Sequence, residues 1–233
     1  MKYLLYFISL IYSRGNYLTH LANYYHSDKG NLWPNKHNYT KHYHIYFSKL
    51  KNKKDVKILE IGLCRGLDEG WKQEDAPSIK MWLKYFRYAM IYGYDCSDFS
   101  FFTHNRFRFY QGNQGKRKDL EKFIKQNGKD FDIIIDDGSH TSHDQQISLG
   151  FLFHYLKNGG YYVIEDMNWQ PPELEKKNSI KTKDLLLSYQ KDKIFDSQYL
   201  TYDENDYLSS NIEQCNIFGN DTEVAKMSIL EKR

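Results

Sequence analysis

Apolar positions along this chain gather into short uninterrupted runs that stop abruptly on carboxylates. FDIIIDDGSHTSH (131–143) ends its run at Asp136 and Asp137, and YYVIEDM (161–167) ends at Glu165 and Asp166. Runs of this kind are strands of a parallel sheet covered on both faces, since alternation is lost when neither face meets water. VKILEIG (56–62) predicts a first strand entering a glycine turn, MIYGYDC (90–96) a second ending at Asp95, and RFRFYQGN (106–113) a third. DIIIDD (132–137) and YYVIED (161–166) follow as the fourth and fifth. Between them KMWLKYF, DLEKFIKQNG and HDQQISLGFLFHYLKNGG carry helical spacing, the last two closing on Asn-Gly and Asn-Gly-Gly stops. Strand and helix alternate as in a doubly wound, Rossmann-like α/β fold. After Glu173 a polar segment leads to NIEQCNIFG (211–219), the turn GND and TEVAKMSILEK (222–232), which predict an antiparallel C-terminal hairpin. The expectation is a seven-stranded, mostly parallel sheet.

Nothing in the composition divides the chain. With 233 residues, 40% of them hydrophobic, it can bury one substantial core, and no Pro/Gly/Ser-rich linker or block of charge interrupts it. A net charge of +3, dispersed along the length, leaves no clustered footprint for nucleic acid. Cys64, Cys96 and Cys215 form neither a CxxC pair nor an even disulfide framework, which suits a reducing cytoplasm. The opening MKYLLYFISLIYSRG has an apolar stretch too short to span a bilayer and no small-residue cleavage site after it. It reads as a packing or oligomer-forming helix without stable membrane insertion.

The strand ends carry the chemistry. ILEIGLCRG (58–66) sets Glu60, Gly62 and Gly66 at the first turn, where glycine lets backbone approach a ligand closely. The spacing is not GxGxxG, and an acid precedes it. That arrangement suits an adenosyl ligand such as S-adenosylmethionine, whose amino group a carboxylate can reach, better than a pyrophosphate. Asp95 is placed to accept hydrogen bonds from both ribose hydroxyls. Asp137, Glu165 and Asp166 form a hard, oxygen-only set at two strand ends, suited to Mg²⁺ or Mn²⁺. His140, three residues beyond Asp137, is positioned as a general base for a hydroxyl. Alternation along the strand sends Asp136 to the opposite face, with a role in orienting a loop or a histidine. His143 reads as a surface residue at a helix start. His37, His42 and His44 match no metal spacing; HNYTKHY (37–43) reads instead as a lid with Tyr39 touching the cofactor, and the remaining aromatics as core or dimer contact.

These motifs together carry a resemblance. SDKG and HNYTKHY, then ILEIGLCRG, SIKMWLKYF, YGYDCSD, QGNQ, FDIIIDDGSHTSH and LFHYLKNGGYYVIEDM resemble the metal-dependent sugar O-methyltransferases of macrolide biosynthesis, the mycinamicin and tylosin group, across residues 27 to 170. DDGSH with IEDM is the specific part; the glycine turn alone would fit any class I methyltransferase. The resemblance implies a class I fold that uses S-adenosylmethionine and a divalent ion, normally magnesium, to methylate a sugar hydroxyl. By it Ser78, Asp95, Asn113 and Gln114 match cofactor positions, Asp137, Glu165 and Asp166 match metal ligands, and His140 matches the base; Asp137 is counted with the cofactor contacts as well. Residues 1–50 then form a helical lid segment and 51–233 the methyltransferase domain, with a small-molecule sugar as substrate and a homo-oligomer, dimer or tetramer, as the assembled form. Cys64 stands where many class I enzymes have a glycine, Asn113 replaces an aspartate before Gln114, and NWQPPELEKKN (168–178) departs from the aromatic-rich acceptor-side signature. A nitrogen or phosphoryl acceptor of surface-glycan biosynthesis, and a non-catalytic scaffold, are the alternative readings.

Overall fold

A computed structural model describes residues 16–32, 36–64, 75–219 and 225–233. The N-terminal apolar stretch, Gly66 and the GND turn beyond Gly219 lie outside these residues. The chain forms two compact units, one of residues Met1–Val56, Leu63–Ile91 and Phe99–Arg108, the other of Lys57–Gly62, Tyr92–Asp98 and Phe109–Arg233.

In the first unit, helix α1 (Tyr17–Tyr24) starts at Asn16, whose side chain accepts from Thr19 N at 3.0 Å. Helices α2 (Thr40–Phe47) and α3 (Pro77–Tyr85) supply an aromatic core. Tyr43 lies 5.1 Å from Phe47 and 5.8 Å from Trp82 between ring centroids, all three fully buried. Pro77 opens α3, where a missing N–H costs nothing. At its other end Arg106 donates to the carbonyls of Leu83, Phe86 and Ala89, taking up backbone acceptors that the helix leaves over.

The second unit is built on the sheet. Strands β1 (Lys57–Ile61), β2 (Met90–Asp95), β3 (Phe107–Gln111), β4 (Phe131–Asp136), β5 (Leu156–Ile164), β6 (Ile212–Gly219) and β7 (Ala225–Lys232) take the order β3-β2-β1-β4-β5-β7-β6. β1, β4 and β5 pair in parallel, while β5–β7 and β7–β6 are antiparallel. The expected seven strands and C-terminal hairpin are all present. The uninterrupted apolar runs are explained by burial, for every residue of β4 is buried. Its single early carboxylate, Asp132, is neutralised by Lys157 Nζ at 2.6 Å and bound by Lys57 N at 2.9 Å. Helices α4 (Arg117–Asn127), α5 (Ser142–Leu152), α6 (Thr182–Asp192) and α7 (Tyr202–Asn211) contribute Leu120, Phe123, Leu149, Leu152, Leu186 and Leu208 to a core shared with Ile134, Tyr162, Ile164 and Leu230 of the strands.

Two expectations are corrected. The Asn-Gly-Gly read as a helix stop lies inside β5; the helix ends at Leu152, and Phe153–Tyr155 form a single 3₁₀ turn before the strand begins at Leu156. Pairing with β4 shifts register between Phe131 and Ile133, and Gly159 there has φ +72°, so the glycines serve an irregular strand start. The Asn-Gly stop of α4 does hold, with Gly128 at φ +81° and its N–H on Ile124 O. The polar segment after Glu173 is not merely a connection, because it contains α6 and α7. Helix α7 begins with a capping box: Thr201 accepts from Glu204 N while Glu204 accepts from Thr201 N. Among the described residues no helix is long and apolar enough to cross a membrane.

The order of the strands reverses between β1 and β4, the place where open α/β sheets open a crevice at their carboxyl ends. Gly62 leaves β1 there at φ +82°, with its N–H on Tyr94 O, and Asp137 N donates to Ile61 O. A Cβ on Gly62 would stand 2.0 Å from Asp137 O. Glycine is required both by the dihedral and by the approach of the two strand ends. Gly62→Ala is expected to lower unfolding free energy by more than about 1 kcal/mol, measured as a drop in denaturant midpoint at unchanged slope.

Candidate functional site

β4 delivers two adjacent carboxylates to different surroundings. Asp136 is completely buried, whereas Asp137 is half-buried, the division that alternation along the strand requires. Asp136 accepts from Gln114 Nε2 at 2.9 and 3.2 Å, from Ser148 Oγ of α5, and weakly from Gly138 N at 3.4 Å. Burial raises its pKa to about 6, held there against the donors from Ser148 and Gln114, which favour the ionised form. Gln114 uses its other end too, its Oε1 accepting from Ser139 N at 3.0 Å. One amide side chain thus ties the end of β4 to the turn that follows it.

That turn carries His140. Ser139 Oγ donates to Asp144 Oδ2 at 2.8 Å and lies 3.0 Å from Thr141 Oγ1, so Ser139 is held at its amide and its hydroxyl. His140 follows with φ +57°, a left-handed backbone that a residue with a Cβ adopts only under constraint. Asp166, two residues beyond β5, is also left-handed at φ +49°. His140 Nε2 comes to 3.9 Å from Asp166 Oδ2, and Asp137, His140 and Asp166 each present a ligand atom within 4.8 Å of the others'. Among the described residues this is the group that could hold a metal ion. Two hard oxygen donors at one point suit a divalent cation such as magnesium, with the imidazole beside it. Glu165 is almost fully buried; its N–H donates to Asp136 O and its carbonyl accepts from Gln145 Nε2 at 3.0 Å. It stands next to this group in sequence but is not one of the three.

The other sequence-predicted residues line the same edge of the sheet or belong to the first unit. Glu60 is fully buried in β1, registered against Ile135 of β4. A carboxylate on a central strand is costly to bury and is retained where a polar partner needs it. Asp95 ends β2, nearly buried, with Oδ1 accepting from Ser97 N at 2.8 Å. Asn113 follows β3 in an Asx turn, its Oδ1 accepting from Gly115 N at 2.9 Å. In the first unit Ser78 is buried in the first turn of α3, and Tyr39 is buried and stacked 5.0 Å from His37.

His143 is not the surface residue expected. It lies in the first turn of α5 with Nε2 3.0 Å from Asp144 Oδ1, its side chain mostly covered, and burial lowers its pKa despite that carboxylate. Asp144 therefore bridges Ser139 and His143. Sequence reasoning missed Asp144 and Ser139, and also Trp169, whose ring stands edge-on to His140 at 5.9 Å. The signal for Asp144 was present in its position, since an acid in the first turn of a helix is favoured there; nothing in the pattern tied Trp169 to His140.

No known family description matches the chain. Among curated proteins it is 37% identical over 157 residues to the 8-demethyl-8-(2-methoxy-alpha-L-rhamnosyl)-tetracenomycin-C 3'-O-methyltransferase of Streptomyces olivaceus, covering 66% of this chain and 38% of that protein. It is 38% identical over 133 residues to the mycinamicin VI 2''-O-methyltransferase of Micromonospora griseorubida, covering 56% and 32%. The chain thus spans less than half the length of these relatives. Among solved structures, the MycE methyltransferase of the mycinamycin pathway, in complex with Mg, SAH and mycinamycin VI, superposes with a TM-score of 0.75 at 29% identity, over 94% of this chain and 55% of that one. The fold is that of class I methyltransferases, and the chain is similar to sugar O-methyltransferases of antibiotic biosynthesis.

Two measurements test the geometry. Asp136 binds its proton more tightly in the fold than in the unfolded chain, so its contribution to stability is full below about pH 4 and lost as pH rises through about 6. Gln114 donates to the carboxylate, so Gln114→Ala is expected to cost about 1 to 3 kcal/mol at pH 7 and less at pH 4 in denaturant unfolding. Separately, titration with Mn²⁺ followed by electron paramagnetic resonance is expected to show a bound ion whose affinity falls at least about tenfold in Asp137→Ala and in Asp166→Ala.

Proposed function

We propose that this chain is a magnesium-dependent O-methyltransferase that moves the methyl group of S-adenosylmethionine to a sugar hydroxyl. The observation that supports it most is the meeting of Asp137, His140 and Asp166 at the carboxyl ends of β4 and β5, beside the switch point, in a chain that superposes on a magnesium- and SAH-bound sugar methyltransferase. In this reading Glu60, Gly62, Asp95, Asn113 and Gln114 bind the cofactor. Residues 1–50 form a lid segment ahead of the methyltransferase domain 51–233, and the enzyme works as a cytoplasmic homo-oligomer.

Asp137, Asp166 and the neighbouring Glu165 would hold the ion, whose chemistry is to acidify a hydroxyl that is otherwise a poor nucleophile at neutral pH. His140 takes the hydroxyl proton. The freed oxygen forms a bond to the methyl carbon as the carbon–sulfur bond breaks, leaving S-adenosylhomocysteine, the methyl ether and an imidazolium. Asp166, 3.9 Å from His140 Nε2, steadies that cation. Asp136 stays out of the reaction and holds the turn through Gln114.

Transfer of labelled methyl to sugar acceptors is expected to need Mg²⁺ or Mn²⁺ and to stop in excess chelator. His140→Ala should lower kcat by at least about a hundredfold while S-adenosylhomocysteine binds as before by calorimetry. Full turnover in chelator, or loss of cofactor binding in the histidine variant, would overturn these assignments.

A further inference from the structure

Beyond Asp166 the chain does not run straight to α6. Residues from Gln170 to Lys181 border an open, solvent-facing cavity of about 400 Å³, lined among others by Gln170, Glu175, Lys176, Lys177, Asn178 and Lys181. The walls are fixed. Gln170 Nε2 donates to Met167 O at 3.0 Å, Ser179 Oγ and Tyr199 Oη lie 2.6 Å apart, and Gln146 Nε2 donates to Ile180 O at 2.8 Å. Asn178 turns the loop at φ +63°.

The charge in this cavity is unbalanced. Glu175 is its one lining carboxylate, and both its oxygens are engaged: Oε2 accepts from Ser142 N at 2.8 Å and Oε1 from Lys181 Nζ at 2.9 Å. Burial works against ionisation, yet the bonds from Lys181 and Ser142 hold its pKa below the ordinary value, so at neutral pH it cancels one lysine. Lys176 rests 5.2 Å over the Tyr199 ring, and among the described residues Lys177 forms no ion pair. Three ammonium groups against one carboxylate leave two positive charges facing the space.

The cavity also adjoins the proposed reaction centre. Trp169 N donates to Asp166 O at 3.1 Å while its ring meets His140, and Gln170 is the next residue. On the other side Glu175 caps α5 at Ser142, two residues past His140. An acceptor whose hydroxyl reaches His140 can therefore extend along this loop, with the exposed indole of Trp169 as a flat apolar face for a sugar ring.

We infer that the cavity between Gln170 and Lys181 is a subsite for the diphosphate of a diphosphate-linked sugar, so that the acceptor is an activated sugar carrying this anion and not a neutral glycoside. The inference rests on the methyltransferase reading above. Lysine ammonium groups are compact charges that meet phosphate oxygens from several directions, and two uncompensated ones gain nothing from a neutral aglycone. A nucleoside diphosphate and a polyprenyl diphosphate present the same group.

The test compares a uridine-diphosphate hexose, a polyprenyl-diphosphate hexose and the methyl glycoside of the same hexose as acceptors, in wild type and in the double variant Lys176→Ala/Lys177→Ala. The diphosphate-linked acceptors are expected to have a KM at least about tenfold below that of the glycoside, and the double variant to erase that advantage through KM with kcat nearly kept. Added salt should shrink the advantage in wild type. The better of the two diphosphate-linked acceptors identifies the source. Unchanged S-adenosylhomocysteine affinity in the variant shows that the fold is intact. Equal KM for the charged and neutral acceptors, or an advantage that survives in the variant, overturns the subsite and leaves the methyltransferase reading standing. If no sugar is methylated, that reading fails, and the subsite is judged on calorimetry with uridine diphosphate alone: binding weakened at least about tenfold by the double variant supports it, and no binding or unchanged binding overturns it.

Discussion

A carboxylate buried at the end of a central strand orders everything around it. Asp136 has no contact with water, and an ionised group in that position is tolerable only with donors aimed at it. Gln114 from the β3–α4 connection and Ser148 from α5 supply them. Because Gln114 also receives Ser139 N, the same bond that satisfies the buried charge sets the path of the turn leading to His140. Asp144 secures Ser139 from the other side. The left-handed backbone of His140 is a conformation that such clamping can enforce and an unconstrained loop would leave.

Neighbouring residues on β4 therefore divide structure from chemistry. Period-two alternation sends Asp136 into the packed layer beneath α5 and Asp137 toward the crevice where the sheet order reverses. Asp137 can join Asp166 and His140 only because Gly62 lets the end of β1 pass within contact distance of its carbonyl. Asp144 touches neither cofactor nor acceptor in the proposed chemistry, yet through Ser139 it helps to position His140; Gly62 and Gln114, read as cofactor contacts, position the same strand end and turn.

The segment after Asp166 is where this chain differs in character from the crevice. The crevice gathers carboxylates, whereas the residues lining the cavity between Gln170 and Lys181 include three lysines, of which Glu175 cancels one, with Glu173 on the same loop outside that lining. Opposite fields side by side suit a ligand with a neutral reacting hydroxyl at one end and an anion at the other.

Most of the sheet was legible in the residues alone. Uninterrupted apolar runs mark buried parallel strands, and carboxylates at their ends mark the functional edge, because both follow from local burial and strand direction. Alternation likewise separated Asp136 from Asp137. The polar helices α6 and α7 were not legible, since these helices bury Leu185, Leu186, Tyr189 and Leu208 in the core with Tyr207 partly buried against it, and so sparse an apolar stripe gives weak periodicity. The Asn-Gly-Gly of residues 158–160 read as a helix end because glycine's freedom looks the same in either setting; only pairing with β4 decided that it opens a strand. The packing of His143 beside Tyr199, the double role of Gln114 and the contact of Trp169 with His140 belong to tertiary structure, because each joins side chains whose spacing in sequence carries no period. Residue order determined which groups reach the edge of the sheet; packing between elements decided which of them meet.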